Sequence, residues 1–141
     1  MPRYVIQLHQ ARALHYDFRL EVEGVLRSWA VPKGPSSDPA EKRLAVQVPD
    51  HSLSHGDYEG DSVIIWDDGV FEPLTEGDFG AALDDGHASF WLEGTKLRGG
   101  WTLHRTSGGD KPQWLLIKRR DEEAASGVTF SQESVKTGRT L

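Results

Sequence analysis

A strict period of two runs through most of this chain, and it limits the possible folds more than any other feature. In His15-Tyr16-Asp17-Phe18-Arg19-Leu20-Glu21, polar and apolar residues alternate without a break. A strand sends successive side chains to opposite faces, whereas a helix repeats every 3.6 residues, so this run fits a half-buried strand. Strand-like segments also occupy residues 4–9, 25–31, 43–48, 62–66, 70–74, 88–93, 100–105 and 113–118. In 43–48, Leu44, Val46 and Val48 share one face. Glu23-Gly24 and Asp67-Asp68-Gly69 read as hairpin turns, and Pro32-Lys33-Gly34-Pro35-Ser36 as a loop. Only residues 76–84 suggest a turn or two of helix. The pattern predicts a mainly β fold over residues 1–121: a single small antiparallel β-barrel of about eight strands with little helix. Residues 122–141 read as a polar, flexible tail.

Cysteine is absent, which excludes disulfides and thiolate metal sites, so any metal must be held by imidazole and carboxylate. There is no long apolar run to cross a membrane, and the N-terminus enters the alternating pattern at once. The expectation is a cytoplasmic protein with no membrane partner. The net charge of −6 is unevenly spread. Residues 1–55 carry seven Lys/Arg against six Asp/Glu, with four of the six histidines, while residues 56–100 carry two against eleven. So acidic a middle segment would repel a long duplex, but a small site gripping one terminal phosphate stays open.

The chemistry concentrates between His9 and Arg19, spaced His-x5-His-x-Asp-x-Arg. Alternation puts His15, Asp17 and Arg19 on one face of a strand and Tyr16, Phe18 and Leu20 on the other, which is core material. Imidazole and carboxylate suit a divalent transition ion, and the guanidinium fork suits phosphate oxygens. His9, across a short loop, would complete a two-His, one-carboxylate set. Spacing alone is equally compatible with a solvated outer face on which Asp17 and Arg19 merely pair. Lys33 lies in a Pro-Lys-Gly-Pro loop within reach of a phosphate, and Asp50-His51 follows a strand, where catalytic groups often sit. His87 and His104 have no polar company in sequence and are expected to be structural. Trp29, Trp66, Trp91, Trp101 and Trp114 all fall in strand-like segments and are expected in the core or barrel wall.

The stretch HQARALHYDFRLEVEGVLRSWAVPKGPSSDPAEKRLAVQVPDHSLSH, with IIWDDG, LEGTKLRGGWTLHR and WLLIKRRD following in the same order, resembles the 3′-phosphoesterase domain of bacterial DNA ligase D. The resemblance runs from about Arg3 to Asp121, and ESVKTGRTL is similar to the linker that follows this domain in the fused ligases. It implies a small β-barrel that removes a 3′-terminal ribonucleoside and then the remaining 3′-phosphate, leaving a 3′-hydroxyl, with manganese as cofactor. It further implies His9, His15 and Asp17 as metal ligands, and His15, Arg19, Arg43 and His51 as catalytic groups. Arg19, Lys33, Arg43 and His55 are implied as substrate contacts. His55 stands where the family usually has tyrosine, and a glycine-rich segment usual before the Trp-Asp strand is largely missing. The expected partners are nucleic-acid 3′ ends, in primer-template DNA or RNA–DNA, and DNA ligase or polymerase repair proteins. The expected form is a stand-alone monomer. Two rival readings are a noncatalytic end-binding module and a metal-dependent phosphatase of small phosphate esters.

Overall fold

Tyr4, Ile6 and Leu8 of the first strand, with Phe18, Leu20 and Val22 of the second, all turn into one hydrophobic core of 22 buried residues. In the computed structural model, which describes residues 1–141, eight antiparallel strands wrap around that core. They are β1 (Arg3–Gln10), β2 (Leu14–Val22), β3 (Val25–Val31), β4 (Arg43–Ser52), β5 (Val63–Pro73), β6 (His87–Gly94), β7 (Arg98–Ser107) and β8 (Gln113–Lys118). The barrel is closed in the order β1-β2-β3-β4-β8-β7-β6-β5, so no strand edge is left unpaired. The expected barrel is therefore the fold. Glu23 and Gly24 both have positive φ, 51° and 84°, the twisted two-residue turn that joins β2 to β3.

One helix, α1 (Phe79–Asp84), is capped by Asp78, whose side chain accepts from the Gly80 N–H. Phe79 packs on Phe71 and Phe90 and closes one end of the barrel. A short 3-10 turn (Leu53–Asp57) follows β4. No helix is long and apolar enough to cross a membrane. Trp29, Trp66, Trp101 and Trp114 are buried as expected, and Trp91 is half-buried on the wall.

Two strand-level expectations are corrected. Asp67-Asp68-Gly69 is no hairpin: β5 runs straight through it, pairing with β1 on one side and β6 on the other. The register against β1 shifts between Ile6 and Gln7, where one extra β5 residue forms a bulge. The bulge lets Trp66 and Asp67 both turn inward. Asp67 is fully buried and accepts from Tyr4 Oη at 2.6 Å and from the N–H groups of Thr95, Lys96 and Leu97. Its turn-like composition therefore serves the β6–β7 turn from a distance. In β4, Ala45 faces the core while Leu44 is exposed and Val48 half-buried on the outside. Trp29 and Trp114, with ring centroids 5.5 Å apart, fill the interior there and leave room for only a methyl group.

Of residues 122–141, expected as a polar, flexible tail, Ala125 donates to the Ser37 carbonyl through its N–H, and residues 130–139 lie along β5. Phe130 packs edge-on against Trp66, and Gln132 accepts from Trp66 Nε1 and donates to Tyr16 Oη. Ser134 and Thr137 donate to Glu59, and the Val135 N–H donates to the Ile65 carbonyl. The Val135 side chain packs on a second small cluster, Val5, Leu26 and Ile65, on the outer face of the barrel.

Candidate functional site

The β1–β2 hairpin sets the site by register alone. His9 is paired directly with His15, and Gln7 with Asp17. Both pairs point away from the core, as the alternation required. Asp17 Oδ1 lies 3.1 Å from His15 Nε2, and Oδ2 lies 3.4 Å from His9 Nδ1. One donor atom from each of the three residues falls within 4.8 Å of the others. Ligands about 2.1 Å from a common ion stand about 3.0–3.4 Å apart, so this set fits a divalent ion with little movement. Two nitrogens and a carboxylate oxygen suit a borderline transition ion better than calcium or magnesium.

Next along the same face, Arg19 is only 3% exposed and is held on every side. Its Nε donates to Gln7 Oε1 at 2.8 Å, and its NH1 donates to Ser28 Oγ at 2.8 Å. Its NH2 stands 3.5 Å from Asp17. Its NH1 is also 3.0 Å from His51 Nδ1. The same Nδ1 lies 3.1 Å from the Pro49 carbonyl, so a guanidinium donor and a carbonyl acceptor both face it. Burial pulls the Arg19 guanidinium below the usual arginine range, and the Asp17 carboxylate partly offsets this.

His51, His55 and Tyr58 form a ladder of rings along one wall, with centroids 4.5 Å and 5.7 Å apart. Burial, then the charge of Arg19, lowers the His55 pKa and favours its neutral form. Together these groups line a cavity of about 410 Å³ that contains His9, His15, Asp17, Arg19, His51 and His55. Six of the eight residues expected at the site therefore meet in one place.

The other two do not. Lys33 and Arg43 line a separate groove of about 260 Å³ at the barrel end, with Tyr16, Trp66, Phe130 and Gln132. Arg43 and His51 stand at opposite ends of β4, eight residues or roughly 26 Å apart along the strand. His87 and His104 are exposed register partners on β6 and β7, outside both cavities.

Gln7 and Tyr58 were not foreseen. Gln7 is fully buried: its Oε1 holds Arg19, and its Nε2 donates to the carbonyls of His55 and Tyr58 at 2.9 and 3.0 Å. One amide thus ties Arg19 on β2 to the turn that carries His55. A glutamine between Ile6 and Leu8, where the outward face of a strand is due, is the only sequence signal of it. Tyr58 gave none, because its place depends on the 3-10 turn.

Residues 7–105 match the family model described as the DNA ligase D 3′-phosphoesterase domain. The multifunctional non-homologous end joining protein LigD of Pseudomonas aeruginosa is 49% identical over 99% of this chain and 18% of its own length. Its Mycolicibacterium smegmatis counterpart is 37% identical over 92% of this chain and 18% of its own length. The LigD end-joining DNA repair protein of Mycobacterium tuberculosis is 37% identical over 85% and 16%. The chain thus spans less than a fifth of the length of these relatives.

Proposed function

The chain belongs to the DNA ligase D 3′-phosphoesterase domain family, and on that premise we propose that it is a metal-dependent hydrolase that heals nucleic-acid 3′ ends for strand joining. It would remove a 3′-terminal ribonucleoside and then the 3′-phosphate, leaving a 3′-hydroxyl. The observation that carries this reading is the convergence of His9, His15 and Asp17, as a fitted ligand set, on the same face as a fixed guanidinium. A divalent ion, Mn²⁺ by the family resemblance, would supply Lewis-acid neutralisation of phosphoryl charge.

The protein's own groups account for the rest. In phosphate removal, the oxygen of a water joins phosphorus and the P–O3′ bond breaks with its electron pair on O3′. One proton of that water ends on O3′. Charge shifts over the phosphoryl oxygens as this happens, and Arg19 is already oriented by Gln7, Ser28 and Asp17, so it need not reorganise. His51, beside Arg19 on the cavity wall, would hold a phosphate oxygen or protonate the departing O3′. His55 and Tyr58 form the wall against which the terminal sugar would rest, and a vicinal 2′-hydroxyl would mark a ribonucleoside there. Lys33 and Arg43, away from the reacting centre, would hold phosphates further along the strand.

The partners on this reading are primer-template ends and the ligase and polymerase activities that use them. The test is incubation of the purified chain with end-labelled primer-templates ending in 3′-phosphate, 3′-ribonucleotide or 5′-phosphate, with Mn²⁺ and with chelator. Release from the two 3′ ends only, abolished by chelation, is expected. Equal turnover of 5′-phosphate would favour a general phosphatase.

A further inference from the structure

We propose that His87 and His104 form a second transition-metal site, on the outer wall of the barrel and separate from the set of His9, His15 and Asp17. It takes a late first-row divalent ion (Zn²⁺, Ni²⁺ or Cu²⁺) and does not rest on the catalytic reading above. Alternation fixes the side: Ala88 and Leu103 are fully buried in the core, so their neighbours His87 and His104 face outward. The two histidines are direct register partners on β6 and β7. The Arg105 N–H donates to the Gly86 carbonyl at 2.8 Å. Gly86 and Arg105 therefore stand at a hydrogen-bonded position, and the next pair, His87 and His104, at a non-hydrogen-bonded one. Facing side chains come closest there, with Cα atoms about 4.5 Å apart.

This pair repeats the arrangement of the first. His9 and His15 are also register partners, and their rings meet edge to face with centroids 4.9 Å apart and planes at 63°. The rings of His87 and His104 stand 5.6 Å apart at 71°. Two imidazoles sharing an ion at about 2.0–2.1 Å have centroids roughly 5–5.5 Å apart, so a small turn of either exposed ring suffices. Each ring contacts the other, and no hydrogen bond or ion pair engages either. The frame beneath them is firm, because Ser89 and Thr102, the next pair on the same face, hydrogen-bond hydroxyl to hydroxyl at 2.8 Å. The nearest cation in sequence, Arg105, turns to the barrel end, where it lies over Trp114 and donates to the Asp84 carbonyl. Residues 76–86, which lead into β6, carry Glu76, Asp78, Asp84 and Asp85 with no lysine or arginine, a field that draws cations toward His87. The pair lacks the carboxylate that Asp17 gives the first set. Imidazole alone selects copper, nickel and zinc over manganese.

The test is a calorimetric Ni²⁺ titration of the full chain in slightly alkaline buffer, where imidazole is unprotonated. His87→Ala and His104→Ala should each weaken the same equivalent of Ni²⁺ at least ~10-fold, because a lone imidazole loses the gain of a second ligand already in place. The double variant should lose that equivalent and no other. Asp17→Asn should keep it, since the two sites share no residue. Both histidines are exposed, so the variants should melt like the parent and bind Mn²⁺ as the parent does. A second readout locates the ion: in Asp17→Asn, a small fraction of an equivalent of paramagnetic Cu²⁺ should broaden the amide NMR signals of His87, Ala88, Leu103 and His104. Ni²⁺ binding unchanged in both single variants, or broadening confined to the neighbourhood of His9, His15 and His51, would overturn the proposal. Neither readout depends on phosphate release, so failure of the catalytic reading and failure of this site are separate results.

Discussion

Gln7→Met separates the site's frame from its candidate metal ligands. Methionine nearly matches the volume of glutamine, so little cavity forms and the loss is confined to hydrogen bonds. Three are lost: the acceptor for Arg19 Nε and the donor to the carbonyls of His55 and Tyr58. Arg19 is charged and 3% exposed, so a partnerless Nε costs about 2 kcal/mol. The two carbonyls are closer to solvent and add about 1 kcal/mol together. A total near 3 kcal/mol corresponds to a fall in Tm of about 10 °C in a chain of this size. With the 3-10 turn freed and Arg19 held by fewer contacts, release of 3′-phosphate should drop at least ~10-fold. Mn²⁺ binding should stay near parental, because His9, His15 and Asp17 do not bond to Gln7. The measurements are a thermal melt, a calorimetric Mn²⁺ titration and a 3′-phosphate release assay on the same preparation. Parental Tm and turnover in Gln7→Met would refute the argument that this amide holds the site together. Loss of metal binding would refute its separation into two parts.

Asp17→Asn removes the anionic ligand but keeps the shape, so Mn²⁺ affinity should fall at least ~100-fold while Tyr16, Phe18 and Leu20 preserve the fold; calorimetry with a melt checks both. Burial would push the Glu59 carboxyl up, but donation from Ser134, the Ile65 N–H and Thr137, with the charge of Arg139, outweighs it and holds the group below the usual glutamate range. A carboxyl with a lowered folded pKa stabilises above its unfolded value and loses that contribution as the pH falls through the lowered one. Amide exchange around Ser134–Thr137 should therefore speed up below the usual glutamate value of about 4.3, more than in the barrel strands, and equal acceleration everywhere would contradict this. Asp67→Ala strips an acceptor from four buried or half-buried donors and should cost about 3–5 kcal/mol by denaturant titration, whereas a residue in an exposed hairpin turn would cost less than about 1 kcal/mol.

The strands themselves, and the grouping of His9, His15 and Asp17, were legible in the sequence because both depend on local rules. Period two fixes which face each side chain takes, so His15, Asp17 and Arg19 had to share one. The β1–β2 connection is short enough that antiparallel register brings His9 opposite His15 with no help from the rest of the fold. The β2–β3 turn was equally readable from Glu23-Gly24, since its conformation is written in two adjacent residues. Asp67-Asp68-Gly69 misled for the same reason: its composition matches a local turn, but its buried carboxylate answers donors about thirty residues away. The contacts of Arg19 with His51, of Gln7 with the turn after β4, and of Phe130 with Trp66 join residues 32 to 64 positions apart. The separation of Lys33 and Arg43 from the metal-ligand cavity is likewise set by strand length and barrel closure. Local pattern constrains only dihedrals and faces, while long-range pairing is decided by how eight strands close around one set of tryptophans and phenylalanines, and that only the tertiary structure could determine.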